Sequence, residues 1–462
     1  MIRKNLNIGL FRFARNDRYC GTFWSASDRN ARLPKPTAAG RSDPPRIRLR
    51  HCPSLVFLVL IFLVSTLCSQ LAAQHVRIGA EILLEKHLHL FSNKRVGIVC
   101  NHTSRLPNGT HLVDTLLKKS VNITALFAPE HGIRGDHAAG AKVEHQTDPN
   151  TGLPIYSLYG GTRKPAPEML DLVDVLIFDM QDVGARFYTF GSTMAYVMEA
   201  AAENAKQFIV LDRPNPINGI DIEGPLLDTT LKSFLGLFPI PIRHGLTLGE
   251  MAKMIVGEGY INPSNVELVV IPMEGWKRSM WYDETGLPWI SPSPNMKTLA
   301  TATVYPGTCL FEATNISEGR GTPKPFEYIG APMVVHNPLV TKLNSLRLPG
   351  VQFKPMEFTP KADSVSAPNP KFNNKLCRGV FVVVTDRTTF KPVLTGLMMM
   401  ASMKQMYQKK FQIKDGLLNR LSGDESISEL LEKKKLDINV LDRFKNDLTH
   451  YQQLRSKYLL YD

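Results

Sequence analysis

Short apolar runs and amphipathic stretches take turns along residues 95–215. "RVGIVCN" (95–101) is a β-branched run ending in polar residues, "HLVDTLLKKS" (111–120) has helical spacing, and "NITALFAPE" (122–130) is a second apolar run. "PAPEMLDLV" (165–173) opens a helix with a proline in its first turn. "DVLIFDMQD" (174–182) has the character of a buried strand, "STMAYVMEAAAENA" (192–205) is a strong helix former, and "QFIVLDRPN" (207–215) is another strand. Strands alternating with helices predict βαβ units and a mostly parallel sheet. The layer continues through "TLGEMAKMIVGEGY" (247–260), where Thr247 and Glu250 have capping-box spacing, and through the strand "NVELVVIPM" (265–273).

Residues 274–296 are irregular and hold Trp276, Trp281 and Trp289. The composition then shifts. Residues 346–379 are rich in Pro, Lys and Asn, and they lead into the strand "VFVVVTD" (380–386). A helical tail follows over 391–408, 414–421, 426–434 and 437–458. The shift sets a domain boundary near residue 300. The fold class is α/β: a Rossmann-like, mostly parallel sheet with helices on both faces over 75–300, and a smaller α+β domain over 301–462 that completes a cleft.

Composition adds the surroundings. With 43% apolar and 21% charged residues the chain is globular. Of its net charge of +13, residues 1–54 carry +9 (12 Lys/Arg against 3 Asp/Glu), leaving +4 for the rest. No basic patch interleaved with aromatics occurs there, so a nucleic-acid partner is excluded, and no stable protein partner is evident. "LVFLVLIFLVSTLC" (55–68) is too short for a bilayer span. Flanked by "RIRLRH" before and "LAAQ" after, it reads as a signal peptide over 55–74, cleaved near Ala73. That predicts a secreted or periplasmic protein; an uncleaved, membrane-anchored form is the alternative. Residues 1–54 have no helical or strand period and read as a disordered leader or an over-extended start. Of six cysteines only Cys100, Cys309 and Cys377 lie beyond this segment, and their spacing suits core packing.

Ligands of open parallel sheets sit beyond the carboxyl ends of the strands. Those ends deliver Asn101 and His102, then Glu130, His131 and Arg134, then Asp179, Gln181, Asp182, Arg186 and Tyr188, then Asp212, Arg213 and Asn215. One shared polar crevice accounts for four polar strand ends. Turn formation is the competing role for Asp212 and Asn215, which stand in "DRPNPINGID". Glu130 follows apolar Phe127, Ala128 and Pro129, a setting that raises a carboxyl pKa as a general acid requires. A second constellation, "FEATNISEGRGTPKPFEYIGAP" (311–332), sets Glu312, Glu318 and Glu327 among glycines and prolines, with Arg320 between two glycines. Its competing role is a surface loop with salt bridges. There is no G-x-G-x-x-G, no H-E-x-x-H and no G-x-S-x-G, so no dinucleotide, metal or serine-nucleophile site is expected and no cofactor is assigned.

"NHTS", "APEHGIRGD", "DMQDVGARFYTF", "DRPNP" and "NISEGRGTPKPFEYIGAP" together resemble the NamZ-type (YbbC-like) exo-β-N-acetylmuramidases. The likeness runs from about residue 80 to the C-terminal residues. It implies a Rossmann-like N-terminal domain, a smaller C-terminal domain and an active site between them. It also implies a glycoside hydrolase that releases N-acetylmuramic acid from the non-reducing end of peptidoglycan fragments. The family's proposed catalytic pair falls on Glu130 and Tyr188. Glycosidic cleavage needs an acid on the leaving oxygen and a group that stabilises the oxocarbenium-like centre. Glu130 is the expected acid; Glu318, Asp182 or the sugar's own 2-acetamido group could supply the second function. The remaining candidate substrate contacts are Asn101, His131, Arg134, Gln181, Arg186, Asp212 and Arg320. Arg134, Arg186 and Arg320 suit the lactyl carboxylate that distinguishes muramic acid. The tryptophans are candidates for sugar subsites, with core packing as the alternative. A secreted binding protein for acidic amino sugars, without turnover, is the competing function.

Overall fold

A computed structural model describes residues 75–129, 132–133, 146–432 and 437–462. The leader (1–54), the signal segment (55–74), Glu130, His131 and Arg134 lie outside the described residues. Strand β1 (Val96–Cys100) is buried at all five positions. Successive side chains leave opposite faces of a strand. Ile98 therefore enters one core with Leu112 and Leu116, while Val99 enters another with Phe178, Phe208 and Met194. A strand covered on both faces has no polar side to show, so its sequence is an unbroken apolar run.

The other strands of this sheet are β2 (Ile123–Ala128), β3 (Gln146–Thr147), β4 (Pro154–Ser157), β5 (Val175–Asp179) and β6 (Gln207–Leu211). After a two-stranded ribbon, β7 (Glu223–Leu226) and β8 (Pro241–Arg243), comes its seventh strand, β9 (Leu268–Ile271). The order is β3-β4-β2-β1-β5-β6-β9, parallel except for the β3–β4 pair. The strand order reverses direction between β1 and β5, as in a Rossmann-like sheet. Helix α1 (Leu112–Lys118) covers one face; α2 (Phe190–Glu203) and α3 (Leu248–Gly257) cover the other. His111 caps α1 by accepting from the Val113 N–H. The capping box of α3 is present in full, Thr247 Oγ1 accepting from Glu250 N at 3.2 Å and Glu250 Oε2 from Thr247 N at 3.0 Å.

The second part packs α4 (Leu299–Thr308) and its neighbours on a three-stranded antiparallel sheet. Its elements are β10 (Tyr328–Ala331), α5 (His336–Ser345), β11 (Val351–Phe358), β12 (Cys377–Val384) and α6 (Pro392–Tyr407). The sheet order is β10-β12-β11. Pro355 sits in β11 opposite Val380, on an edge strand, the place in a sheet where proline is tolerated. Helices α4 and α6 cross at Gly307 and Gly396. A Cβ on either glycine would overlap the partner's backbone, which fixes the crossing at the closest approach two helices can make. Helices α7 (Asp415–Ser422), α8 (Ser426–Glu432) and α9 (Lys445–Ser456) complete the chain.

All described residues belong to one compact unit. Val183, Phe187, Ile217 and Trp281, from before residue 300, share one core with Leu310, Phe326 and Leu397 from after it. Helix α9 also returns to the first part. Tyr451 is buried in the parallel-sheet core and donates to the His244 carbonyl at 2.8 Å. Tyr461 donates to Asp212 at 2.6 Å. Cys100, Cys309 and Cys377 are buried and none of them forms a disulfide, which agrees with a packing role.

Candidate active site

The parallel sheet aims polar residues past its carboxyl ends, but most of them turn inward. At the end of β1, Asn101 Oδ1 accepts from Thr103 N (2.9 Å) and Thr103 Oγ1 (2.6 Å), and its carbonyl receives His111 Nε2 (2.9 Å). At the end of β5, Asp179 forms a buried ion pair with Arg213, Nε to Oδ1 at 2.5 Å and Nη2 to Oδ2 at 2.9 Å. Gln181 Nε2 donates to the carbonyls of Asp182 (2.9 Å) and Pro214 (2.8 Å). Asp182 Oδ2 accepts from Gly184 N at 2.7 Å and lies 3.6 Å from His244 Nε2. Asp212 accepts from Thr247 Oγ1, Gly249 N and Tyr461 OH. Burial pushes its pKa up to about 7 against the pull of those donors. These residues knit strand ends and helix starts together. Asn101, Gln181, Asp182 and Asp212 do not line the cleft that Tyr188 and Arg320 share.

Arg186 is placed differently from the expectation for a substrate contact. It is 5% exposed, and its guanidinium donates to four carbonyls: Pro225 (3.1 Å), Ile240 (2.8 Å), Leu421 (2.9 Å) and Ser422 (2.7 Å). The last two belong to the final turn of α7, where a cation also meets the negative end of the helix dipole. Burial pulls the Arg186 pKa down to about 9, so it remains charged at neutral pH. Arg186→Met leaves buried acceptors without donors, a loss on the order of 3 kcal/mol. It is expected to lower the denaturation midpoint without raising KM. A raised KM at unchanged stability would restore Arg186 to the substrate site.

The cleft itself has a volume of about 420 Å³. Tyr188, which follows β5, reaches it with the Phe190 ring edge-on at 4.9 Å and Tyr305 at 6.0 Å. Tyr305 in turn packs edge-on against Phe187 (5.3 Å) and Phe326 (4.8 Å). The wall opposing solvent is thus a box of aromatic rings, a surface that suits the apolar face of a sugar. Arg320 also lines the cleft. It stands between Gly319 (φ 80°) and Gly321 (φ 78°), whose missing side chains allow contact with the backbone of Tyr328 and Lys361. Arg320 Nη2 donates to Glu312 Oε1 at 2.6 Å, Nε lies 3.6 Å from Glu318 Oε1, and the guanidinium rests 5.0 Å from the Phe326 ring centroid. Burial works against the Arg320 charge, but Glu312 and Glu318 outweigh it and hold its pKa above the ordinary value.

Glu312 and Glu318 divide the roles that sequence left undivided. Glu318 is 5% exposed, held at 2.9 Å by Lys371 Nζ, and sits behind Arg320. Glu312 is 29% exposed and is the one carboxylate lining the cleft among the described residues. Tyr305 and Cys309 border it; burial first, then Cys309 and Glu312 for the Tyr305 phenol and Glu312 for the Cys309 thiol, keeps both pKa values well above ordinary. Both stay protonated at neutral pH, so Cys309 is no thiolate nucleophile. None of the three tryptophans lines the cleft: Trp276 and Trp281 are buried, and Trp289 Nε1 donates to the Met296 carbonyl at 3.3 Å. Among the described residues no group of three or more His, Cys, Asp or Glu is placed to hold a metal ion.

Of the candidates, then, the structure brings Tyr188 and Arg320 into one cleft, with Glu318 just behind. It adds Glu312, which sequence reading placed in the second constellation without a role, and the aromatic box, which it missed. Glu312 was visible as one of three glutamates in its segment, but nothing in their spacing tells which faces outward.

A Rossmann-like sheet joined to a small α+β part, with an aromatic cleft holding a carboxylate–arginine pair, defines an α/β protein with a candidate site beside its sheet. The chain belongs to the NamZ exo-β-N-acetylmuramidase family: the model of the family's N-terminal domain matches residues 96–300 and that of its C-terminal domain residues 303–461. It is 46% identical over 396 residues to the peptidoglycan β-N-acetylmuramidase NamZ of Bacillus subtilis (strain 168), covering 84% of this chain and 91% of that protein. Two crystal structures of DUF1343 family proteins from Bacteroides fragilis NCTC 9343 share the fold. They superpose with TM-scores of 0.76 and 0.69 at 36% and 34% identity, each over 84% of this chain and 99% of the other.

Proposed function

We propose that this chain is a glycoside hydrolase that releases N-acetylmuramic acid from the non-reducing end of peptidoglycan fragments, in cell-wall turnover or scavenging. The observation that carries this reading is the meeting of Tyr188 with the Glu312–Arg320 pair in one aromatic cleft, in a chain of this family. Cleavage needs a proton for the leaving oxygen and negative charge near the oxocarbenium-like centre. Glu130 is the proton donor in this reading. Glu312, rather than Glu318 or Asp182, is the second carboxylate, because it alone of the three lines the cleft. Arg320 orients it through the 2.6 Å contact. Tyr188 borders the same space with its ring, and in this reading it orients the 2-acetamido group or stabilises charge.

The segment over 55–74 supports export to the cell-wall side of the membrane, where the substrate is found, with cleavage near Ala73. A chromogenic N-acetylmuramide tests the activity: release of the chromophore is expected, and it should survive a chelator. A chain that binds the sugar and releases nothing would instead be a binding protein without turnover, a reading that the catalytic relative does not favour.

A further inference from the structure

Muramic acid carries a lactyl ether with a carboxylate, and a site that selects it needs an unengaged cation. Two arginines that sequence offered for this task are already occupied. Arg186 is buried against four carbonyls, and Arg320 is bound to Glu312 with Glu318 behind it. The same cleft is lined by two further arginines that no motif singled out, Arg163 and Arg420. They come from distant parts of the chain, Arg163 from the segment after β4 and Arg420 from α7. Both are exposed, and neither is ion-paired among the described residues. Arg163 is nevertheless held in place: its guanidinium lies 4.4 Å from the centroid of the Phe234 ring, itself part of the cleft wall. Stacking on an aromatic face leaves the in-plane N–H fork free to meet a carboxylate side-on. The described lining thus has three guanidiniums, Arg163, Arg320 and Arg420, against the single carboxylate of Glu312. Two positive charges remain uncompensated, which is the complement of an anionic ligand.

We propose that Arg163 and Arg420 together form the carboxylate-recognition site of the cleft, and that its ligand is the free lactyl carboxylate of the terminal muramic acid. This rests on the reading of the chain as an N-acetylmuramidase. It makes the two arginines specificity residues, which select the sugar without taking part in bond cleavage. A stem peptide would convert the lactyl carboxylate to an amide and move the negative charge outward along the peptide, so the site favours sugars without peptide.

Four chromogenic glycosides test this: N-acetylmuramic acid, its neutral lactyl methyl ester, its lactyl-amide-linked L-Ala-D-isoglutamine conjugate, and N-acetylglucosamine. The wild type is expected to prefer the free acid over the ester. A charge-assisted hydrogen bond is worth enough that Arg163→Ala or Arg420→Ala should each lower kcat/KM on the free acid by roughly tenfold to a hundredfold, mainly through KM. On the ester and on N-acetylglucosamine neither variant should change by more than about twofold, and Arg→Lys should recover part of the loss. Equal losses on acid and ester would reveal packing roles and overturn the proposal. So would unchanged kinetics on all four. A loss confined to the peptide conjugate would assign the site to peptide carboxylates and overturn the lactyl assignment. If the wild type cleaves none of the glycosides, the hydrolase reading fails by itself. Calorimetric binding of free N-acetylmuramic acid against N-acetylglucosamine then still decides the arginine site, with the same selective weakening expected.

Discussion

Glu130→Gln is expected to lower kcat for release of N-acetylmuramic acid by about 10²–10⁴-fold, the usual contribution of a positioned general acid, with binding of the sugar retained. The motive is where this residue falls in the chain. Phe127 and Ala128 close β2 fully buried, between β1 and β4, and in the sequence Pro129 and then Glu130 follow. The leaving group supplies a sharp check. A dinitrophenyl glycoside departs without a proton, so Glu130→Gln should lose far less activity on it than on a natural disaccharide. Equal losses on both would remove Glu130 from the acid role.

Glu312→Gln is expected to fall by a comparable factor, about 10²–10⁴ in kcat, with KM little changed, because charge stabilisation is felt in the transition state and not in the ground state. The substitution also frees Arg320 from its 2.6 Å partner, so stability must be measured alongside. Glu318→Gln is the informative companion. Its carboxylate is buried against Lys371, and its loss should be mostly one of stability. A Glu312→Gln enzyme with normal kcat would mean that the second group lies elsewhere, and that the sugar's acetamido group is the stronger contender.

Sequence made much of the first part legible. Continuous apolar strands marked a sheet covered on both faces, and the Thr247–Glu250 spacing marked the start of α3. Arg320 between two glycines signalled a loop in close contact with other backbone. What remained illegible was direction. A polar residue after a strand can look outward to a ligand or inward to its neighbours, and Asn101, Gln181, Asp182 and Asp212 look inward. Arg186 stood in the same motif as Tyr188, two residues away, yet only Tyr188 reaches the cleft. In an irregular segment two positions suffice to reverse a side chain. Arg163 and Arg420 were invisible for another reason: nearly 260 residues of sequence separate them, and only folding makes them neighbours of one space. The tryptophans misled through composition, since a large ring fills a core as readily as it lines a groove.

The bond from Tyr461 to Asp212 spans 249 residues of sequence, and Arg455 crosses a similar distance to the carbonyls of Gly219 and Gly245. A ribosome adds about 5–20 residues per second. Synthesis therefore delivers the segment that completes the Asp212 corner on the order of tens of seconds after the corner itself, whether the chain folds as it is made or after export. During that interval the β6–β9 side of the sheet lacks Tyr451 from its core. The arrangement ties the maturation of the first-made half to the last-made helix, so that a chain interrupted before α9 is left with an open hydrophobic seam for chaperones and proteases to find.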